Sequence, residues 1–167
     1  MKAYVTDLMQ ESAQTLTQLS GANGYKEEHV GARGIVDSRP FRIFEGSNEM
    51  LYTQISESIL KAMNKLKTSN LATFLKDYEL TQKAADRFRH LLDFSFDTKM
   101  SQRKMVDLGK IISRIVSANH VVQLGNQGFR TDLIENSLET IRHEISMLVS
   151  SCNFPVIEPV LAHSSRP

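Results

Sequence analysis

Apolar residues in this chain recur at three- and four-residue steps through five separate stretches, and none of the chain alternates persuasively as a strand would. A chain patterned this way buries its apolar surface by packing helix on helix. Residues 3–19 show the step in Val5, Leu8 and Met9, Ser12 and Ala13, Leu16 and Leu19, with Gly21 where a helix C-cap belongs. A second helix starts after Ser47, a good N-cap, with Glu49 in its positive first turn. Its stripe runs Leu51, Ile55, Ile59, Ala62 and Met63, Leu66, and Lys61, Lys65 and Lys67 suit its negative end. Asn70 caps a third helical region, in which Leu71, Phe74, Leu75 and Tyr78 pass into Ala85, Phe88, Leu91 and Leu92, with a break near Leu80 and Thr81. Ser101 opens a fourth, with Met105, Leu108, Ile111, Ile112, Ile115 and Val122 inward and Gly125 as its stop. In the fifth, Asp132 and Glu135 resemble a capping box around Ile134, Leu138, Ile141, Ile145 and Leu148. The expected fold is all-α, a helical bundle of about five helices with one long glycine-rich loop.

Composition excludes several function classes. Twenty Lys and Arg against nineteen Asp and Glu leave a formal charge of +1, so no nucleic-acid partner is expected. Cys152 stands alone, which excludes an intrachain disulfide framework or a multi-cysteine metal site and fits a reducing, cytoplasmic setting. His29, His90, His120, His143 and His163 lie far apart without ligand spacing, so no metal is expected. Residues 1–7 lack an apolar signal core, and no run approaches the length that crosses a bilayer. Met50, Met63, Met105 and Met147 fall on or beside the apolar stripes and read as core. Pro155, Pro159 and Pro167 mark the residues after Cys152 as an extended tail.

The glycines are unevenly spread. Of eight, Gly21, Gly24, Gly31, Gly34 and Gly46 all lie between positions 20 and 47. That segment shows neither a helical nor a strand period, and irregular stretches of such length in compact domains are usually functional or disordered. Tyr25, Val30, Ile35, Val36, Phe41, Ile43 and Phe44 supply anchors that argue against disorder. It begins Gln18-Leu19-Ser20-Gly21-Ala22-Asn23-Gly24-Tyr25 and continues through His29-Val30-Gly31-Ala32-Arg33 and Asp37-Ser38-Arg39. It closes with Ile43-Phe44-Glu45-Gly46-Ser47-Asn48-Glu49.

These two turns, in this order, resemble the signature of the acyl-CoA dehydrogenase family near the end of its C-terminal helical domain. The resemblance covers residues 3–67. It departs from the family pattern at Ala22, which replaces a glycine, at Val36, where an arginine is expected beside Asp37, and at Ser47, which replaces threonine. The resemblance implies that Glu45 is the catalytic base, removing the α-proton of an acyl-CoA thioester while a β-hydride passes to FAD. Gly46 is then a substrate-binding position that leaves room for the thioester. Gln18, Gly21 and Ala22 are expected to line the adenosine-pyrophosphate part of an FAD held mainly by a neighbouring subunit, and Ser47 and Glu49 to meet the flavin nucleotide. Read from the residues alone, a carboxylate between Ile43, Phe44 and Gly46 suits a partly apolar pocket that raises its pKa, the property a general base needs near neutral pH. The plainer readings are a charged turn before a helix for Glu45 and a glycine C-cap for Gly21 and Gly24. Arg33, Asp37 and Arg39 are expected to form ion pairs that hold the loop.

The expected division is residues 1–69 as the second half of such a bundle, 70–152 as a helical C-terminal extension, and 153–167 as a tail. A complete enzyme of this family also has an N-terminal helical domain and a central β domain. The 167 residues alone are therefore expected to be a fragment without dehydrogenase turnover and with little or no bound FAD. The extension resembles, in layout only, that of the very-long-chain branch, which serves dimer packing and membrane-surface association. Its nearly balanced charge gives weak support to a membrane face. A homo-oligomer follows from the family habit. The alternative function is a non-catalytic helical interaction or dimerisation module that retains the loop.

Overall fold

The structure, a computed structural model, describes residues 1–94 and 100–152. It contains seven α-helices and no strand among the described residues: α1 Lys2–Leu19, α2 Val30–Ser38, α3 Asn48–Lys65, α4 Leu71–Asp77, α5 Gln82–Leu92, α6 Gln102–Asn126 and α7 Thr131–Cys152. Two 3₁₀ turns, Gly21–Tyr25 and Arg39–Arg42, flank α2. The all-α expectation is met. The segment read as one long loop contains a helix of its own, and the proposed tail lies outside the described residues.

Three of the four predicted side-chain caps form. The Ser47 hydroxyl accepts from the Met50 N–H at 3.4 Å, Asn70 Oδ1 from the Thr73 N–H at 2.9 Å, and the Ser101 hydroxyl from the Lys104 N–H at 3.4 Å. The capping box at Asp132 does not form. Helix α7 has already begun at Thr131, and the Asp132 carboxylate is held by the Arg130 guanidinium at 2.6 Å, which lowers its pKa. Helix α6 also runs past Gly125 to Asn126, and the chain turns at Gly128, with φ at +91°.

The apolar core is built by α3–α7. Ile59 and Met63 of α3 meet Leu71, Phe74 and Leu75 of α4, Ala84, Phe88 and Leu92 of α5, Leu108, Ile111, Ile112 and Ile115 of α6, and Leu138, Ile141 and Ile145 of α7. Every one of these side chains is buried. Helix α6 lies so close to α3 that a Cβ at Gly109 would sit 2.1 Å from the Tyr52 carbonyl oxygen. The Ser56 hydroxyl donates to the Met105 carbonyl at 2.5 Å across the same interface. Met63 is core as expected, but Met50 and Met147 are 53% and 61% exposed, which corrects the reading of both. Burial raises the pKa of the half-buried Cys152 thiol, in keeping with a packing role.

Helix α1 reverses the expected pattern. Its apolar stripe, Val5, Leu8, Met9, Leu16 and Leu19, is exposed, whereas Ala3, Tyr4, Thr6 and Gln10 are buried. The buried polar groups are satisfied in pairs: Tyr4 Oη donates to Glu144 of α7 at 3.2 Å, Thr6 Oγ1 accepts from Asn48 Nδ2 at 3.0 Å, and Gln10 Oε1 accepts from Ser38 at 3.2 Å. Arg114 of α6 stacks on the Tyr4 ring and pairs with Glu144 at 2.5 Å, so one cluster joins α1, α6 and α7. Burial, followed by the Glu144 charge, pushes the Tyr4 phenol up to about 12. Burial and the Asp7 hydrogen bond also raise Tyr52. A phenol with a raised folded-state pKa contributes stability that is full below its unfolded value of 10.0 and is lost as pH rises toward the folded one. An alkaline titration followed by tyrosinate absorbance and helicity is therefore expected to show unfolding accelerating above pH 10. The Tyr4→Phe chain should show a shallower decline, and an unchanged slope would place Tyr4 in water.

Candidate functional site

The polypeptide from Gly21 to Asn48 is folded onto α1 rather than looped free. Gly24 is buried, and a Cβ there would meet the Thr17 carbonyl oxygen at 2.2 Å. Gly31 approaches the same residue, with Thr17 Oγ1 only 2.6 Å from where a Cβ would stand. These two glycines let the 3₁₀ turn and α2 sit against α1. His29, left in the loop by its sequence, caps α2: its Nδ1 accepts from the Gly31 N–H at 3.1 Å.

The ion pairs expected of Arg33, Asp37 and Arg39 are not among those of the described residues. Arg42 and Asp7 hold the segment instead, at 2.7 Å between Nε and Oδ1. The same Asp7 carboxylate accepts from Asn48 Nδ2 at 2.8 Å and from Tyr52 Oη at 2.7 Å. Asn48, 1% exposed, also donates to the Ala3 carbonyl at 3.0 Å. The start of α1, the second 3₁₀ turn and the start of α3 are thereby tied to one carboxylate. No sequence signal marked Asp7, because its partners lie 35 or more residues away.

Between these tethers the chain makes a tight reversal. The Ile43 and Phe44 N–H groups both donate to the Pro40 carbonyl, at 3.0 and 2.9 Å. Glu45 then takes φ of +59° and Gly46 +98°, after which Ser47 caps α3. For a residue with a Cβ the left-handed region costs roughly 1–2 kcal/mol, and such strain concentrates at functional sites. Lys2 of α1 reaches across, its ammonium donating to the Phe44 carbonyl at 2.6 Å and the Gly46 carbonyl at 3.1 Å.

Glu45, Gly46, Ser47 and Glu49 are therefore brought together at the N-terminal ends of α1 and α3. Gln18, Gly21 and Ala22 are not: they lie at the other end of α1, about 24 Å away at the helical rise. They are exposed, Gly21 has φ of +54°, and a Cβ on it would meet nothing within 4 Å, so backbone there is open to approach. The apolar pocket expected around Glu45 is not formed by the described residues. Glu45 is exposed, and Ile43 and Phe44 are 56% and 64% exposed beside it. With Phe41, Val36 and the α1 stripe they make an apolar surface spanning α1, α2 and the second 3₁₀ turn. Among the described residues no cluster of His, Cys, Asp and Glu could hold a metal ion, and no helix is long and apolar enough to cross a membrane.

The all-α fold and the Ser47 cap after the Glu45–Gly46 turn agree with the expectations drawn from the sequence. Residues 1–60 match the family model of the acyl-CoA dehydrogenase C-terminal domain, and both turns lie inside the match. Residues 1–60 are thus similar to that domain. The match ends within α3, ahead of α4–α7. No curated protein and no solved structure matches the chain.

Proposed function

We propose that residues 1–69 form the second half of the C-terminal helical bundle of an FAD-dependent acyl-CoA dehydrogenase-like oxidoreductase, with Glu45 as the base that takes the α-proton of an acyl-CoA thioester. The observation that carries this reading is the Glu45 backbone. It holds a left-handed carboxylate between exposed aromatic and aliphatic side chains, with the chain fixed on one side at the Pro40 carbonyl and on the other at the Ser47 cap. Gly46 leaves open space beside it, since a Cβ there would meet only Leu51 Cδ2 at 3.9 Å. The Glu45 N–H is a candidate donor to the thioester carbonyl, where it would stabilise the developing negative charge.

The residues fit the implied cofactor. Gly21 and Ala22 present exposed backbone at a helix end, Gln18 is exposed beside them, and Ser47 and Glu49 stand at the start of α3. When bound, FAD accepts the β-hydride. The separation of about 24 Å between the two groups suits contacts to different parts of an extended dinucleotide or to flavins of two subunits, in keeping with a homo-oligomer.

The uncovered apolar surface of α1, α2 and the Phe41–Phe44 segment supports a unit completed by further protein, which would also bury Glu45. Helices α4–α7 are proposed as an extension that covers α3. The division at residue 69 then separates two sequence segments that share one core, because Ile59 and Met63 pack with the residues that follow. The same apolar surface favours a second reading, a non-catalytic dimerisation module. The two are separated by rapid mixing of the flavin-loaded enzyme containing this segment with acyl-CoA under anaerobic conditions. Flavin bleaching that is lost in Glu45→Gln supports the dehydrogenase. Absence of flavin binding in every assembly containing the chain supports the module.

A further inference from the structure

We infer that Lys2 is a positioning residue for Glu45, its ammonium clamping the two carbonyls on either side of that residue so that the left-handed backbone is held. The inference rests on the reading of Glu45 as the base. An ammonium has three donors and no acceptor, and two of its donors here go to the Phe44 carbonyl at 2.6 Å and the Gly46 carbonyl at 3.1 Å. Hydrogen bonds from a charged donor are about twice as strong as neutral ones. Glu45 contributes no backbone oxygen to the clamp, so the residue between the two held carbonyls is the one whose φ is +59°.

The base of the Lys2 side chain is fixed independently. Asn48 ties the Ala3 carbonyl to the start of α3, and Thr6 Oγ1 donates to the Lys2 carbonyl at 3.0 Å. Lys2 therefore faces the turn from a helix end locked to the element that the turn opens. Without the clamp, Pro40 still receives the Ile43 and Phe44 N–H groups and Ser47 still caps α3. Only the Glu45–Gly46 peptide between them would be freed, and the expected effect is local.

A glutamate-specific protease reads that peptide directly, because it cleaves after Glu45, and the 167-residue chain can be used as it is. Cleavage at a transiently opened site tracks the population of the open form. Lys2→Met is expected to raise the initial rate of cleavage after Glu45 by about tenfold, the loss of one charge-assisted contact pair. Lys2→Arg, which keeps the charge and offers several N–H donors, should stay within about twofold of the native chain. Cleavage after the exposed Glu27 and Glu28 is the internal control and should be the same in all three proteins.

Equal cleavage after Glu45 in the native chain and Lys2→Met would overturn the inference, as would failure of arginine to restore protection. A parallel rise at all three glutamates would assign Lys2 to general stability and overturn it too. Amide exchange at Gly46 offers a second readout, expected to quicken in Lys2→Met and to be restored in Lys2→Arg. None of these results depends on Glu45 being the base. If Glu45→Gln left flavin bleaching intact, the base reading would fail while the cleavage result stood; the reverse combination would remove the clamp alone.

Discussion

Gly109→Ala is expected to lower the melting temperature of the 167-residue chain by about 10 °C. The added Cβ would sit 2.1 Å from the Tyr52 carbonyl oxygen, 2.6 Å from its carbon and 2.8 Å from its Cα. All three are backbone atoms inside a helix, so no rotamer change relieves the contact. Helix α6 has to move off α3, loosening Leu108, Ile111 and Ile112 on one side and the Ser56 bond to Met105 on the other. Overpacking of this kind costs on the order of 3 kcal/mol, a large part of the roughly 5–15 kcal/mol that holds a domain together. Gly128→Ala makes the comparison. It lies in open space with φ of +91°, so its cost is backbone strain alone, about 1 kcal/mol. Melting of the two variants by circular dichroism decides the matter. A Gly109→Ala chain that melts with the native one would mean that α6 does not cover α3, and the segment matched to the family would be packed against something else.

The core of α4–α7 was legible in the sequence because nearly everything it needs is local. Leu71, Phe74 and Leu75, then Leu108, Ile111, Ile112 and Ile115, then Leu138, Ile141 and Ile145 repeat at helical steps, and all are buried. Ser47, Asn70 and Ser101 cap the helices they precede, since an N-cap needs only a short polar side chain and an N–H three residues on. Helix α1 shows where such reasoning stops. Periodicity identifies its apolar stripe but not which face this chain covers, and the covered face is the one bearing Tyr4, Thr6 and Gln10. Burying those polar groups is tolerable only because Glu144, Asn48 and Ser38 meet them, and such partners are invisible until the chain is folded.

Helix α2 was hidden for a related reason. Gly31 and Gly34 depress its helical propensity, and its cap is a histidine ring. Contact with α1 makes this segment a helix, and the glycines that argued for a loop are what permit that contact. The candidate site divides along the same line. The Glu45–Gly46 reversal and the Ser47 cap were legible as a motif. Its tethers to Lys2 and through Asn48 to Asp7, and the distance to Gln18, Gly21 and Ala22, depend on how α1 lies against α3.

If Glu45 is the proposed base, Glu45→Gln is expected to reduce the rate of flavin bleaching in a flavin-loaded assembly containing this segment by about a hundred- to ten-thousandfold while leaving the 167-residue chain as stable as before. The first half follows from chemistry. Glutamine keeps the shape of the side chain but cannot accept a proton, and a positioned general base contributes about 10²–10⁴ to the rate. Acyl-CoA binding should change only severalfold, because Gly46 and the backbone N–H of residue 45 remain. The second half follows from geometry. Glu45 is exposed, forms none of the ion pairs described, and glutamine bears the same left-handed backbone cost, so the change belongs with surface substitutions of within about 0.5 kcal/mol. Together the two measurements distinguish a catalytic carboxylate from one that pairs a charge, because a residue kept for such a pairing would show its loss in the melting curve. Bleaching within about tenfold of the native rate would move the base to another residue. A loss of stability matching the loss of rate would return Glu45 to the role of a structural turn.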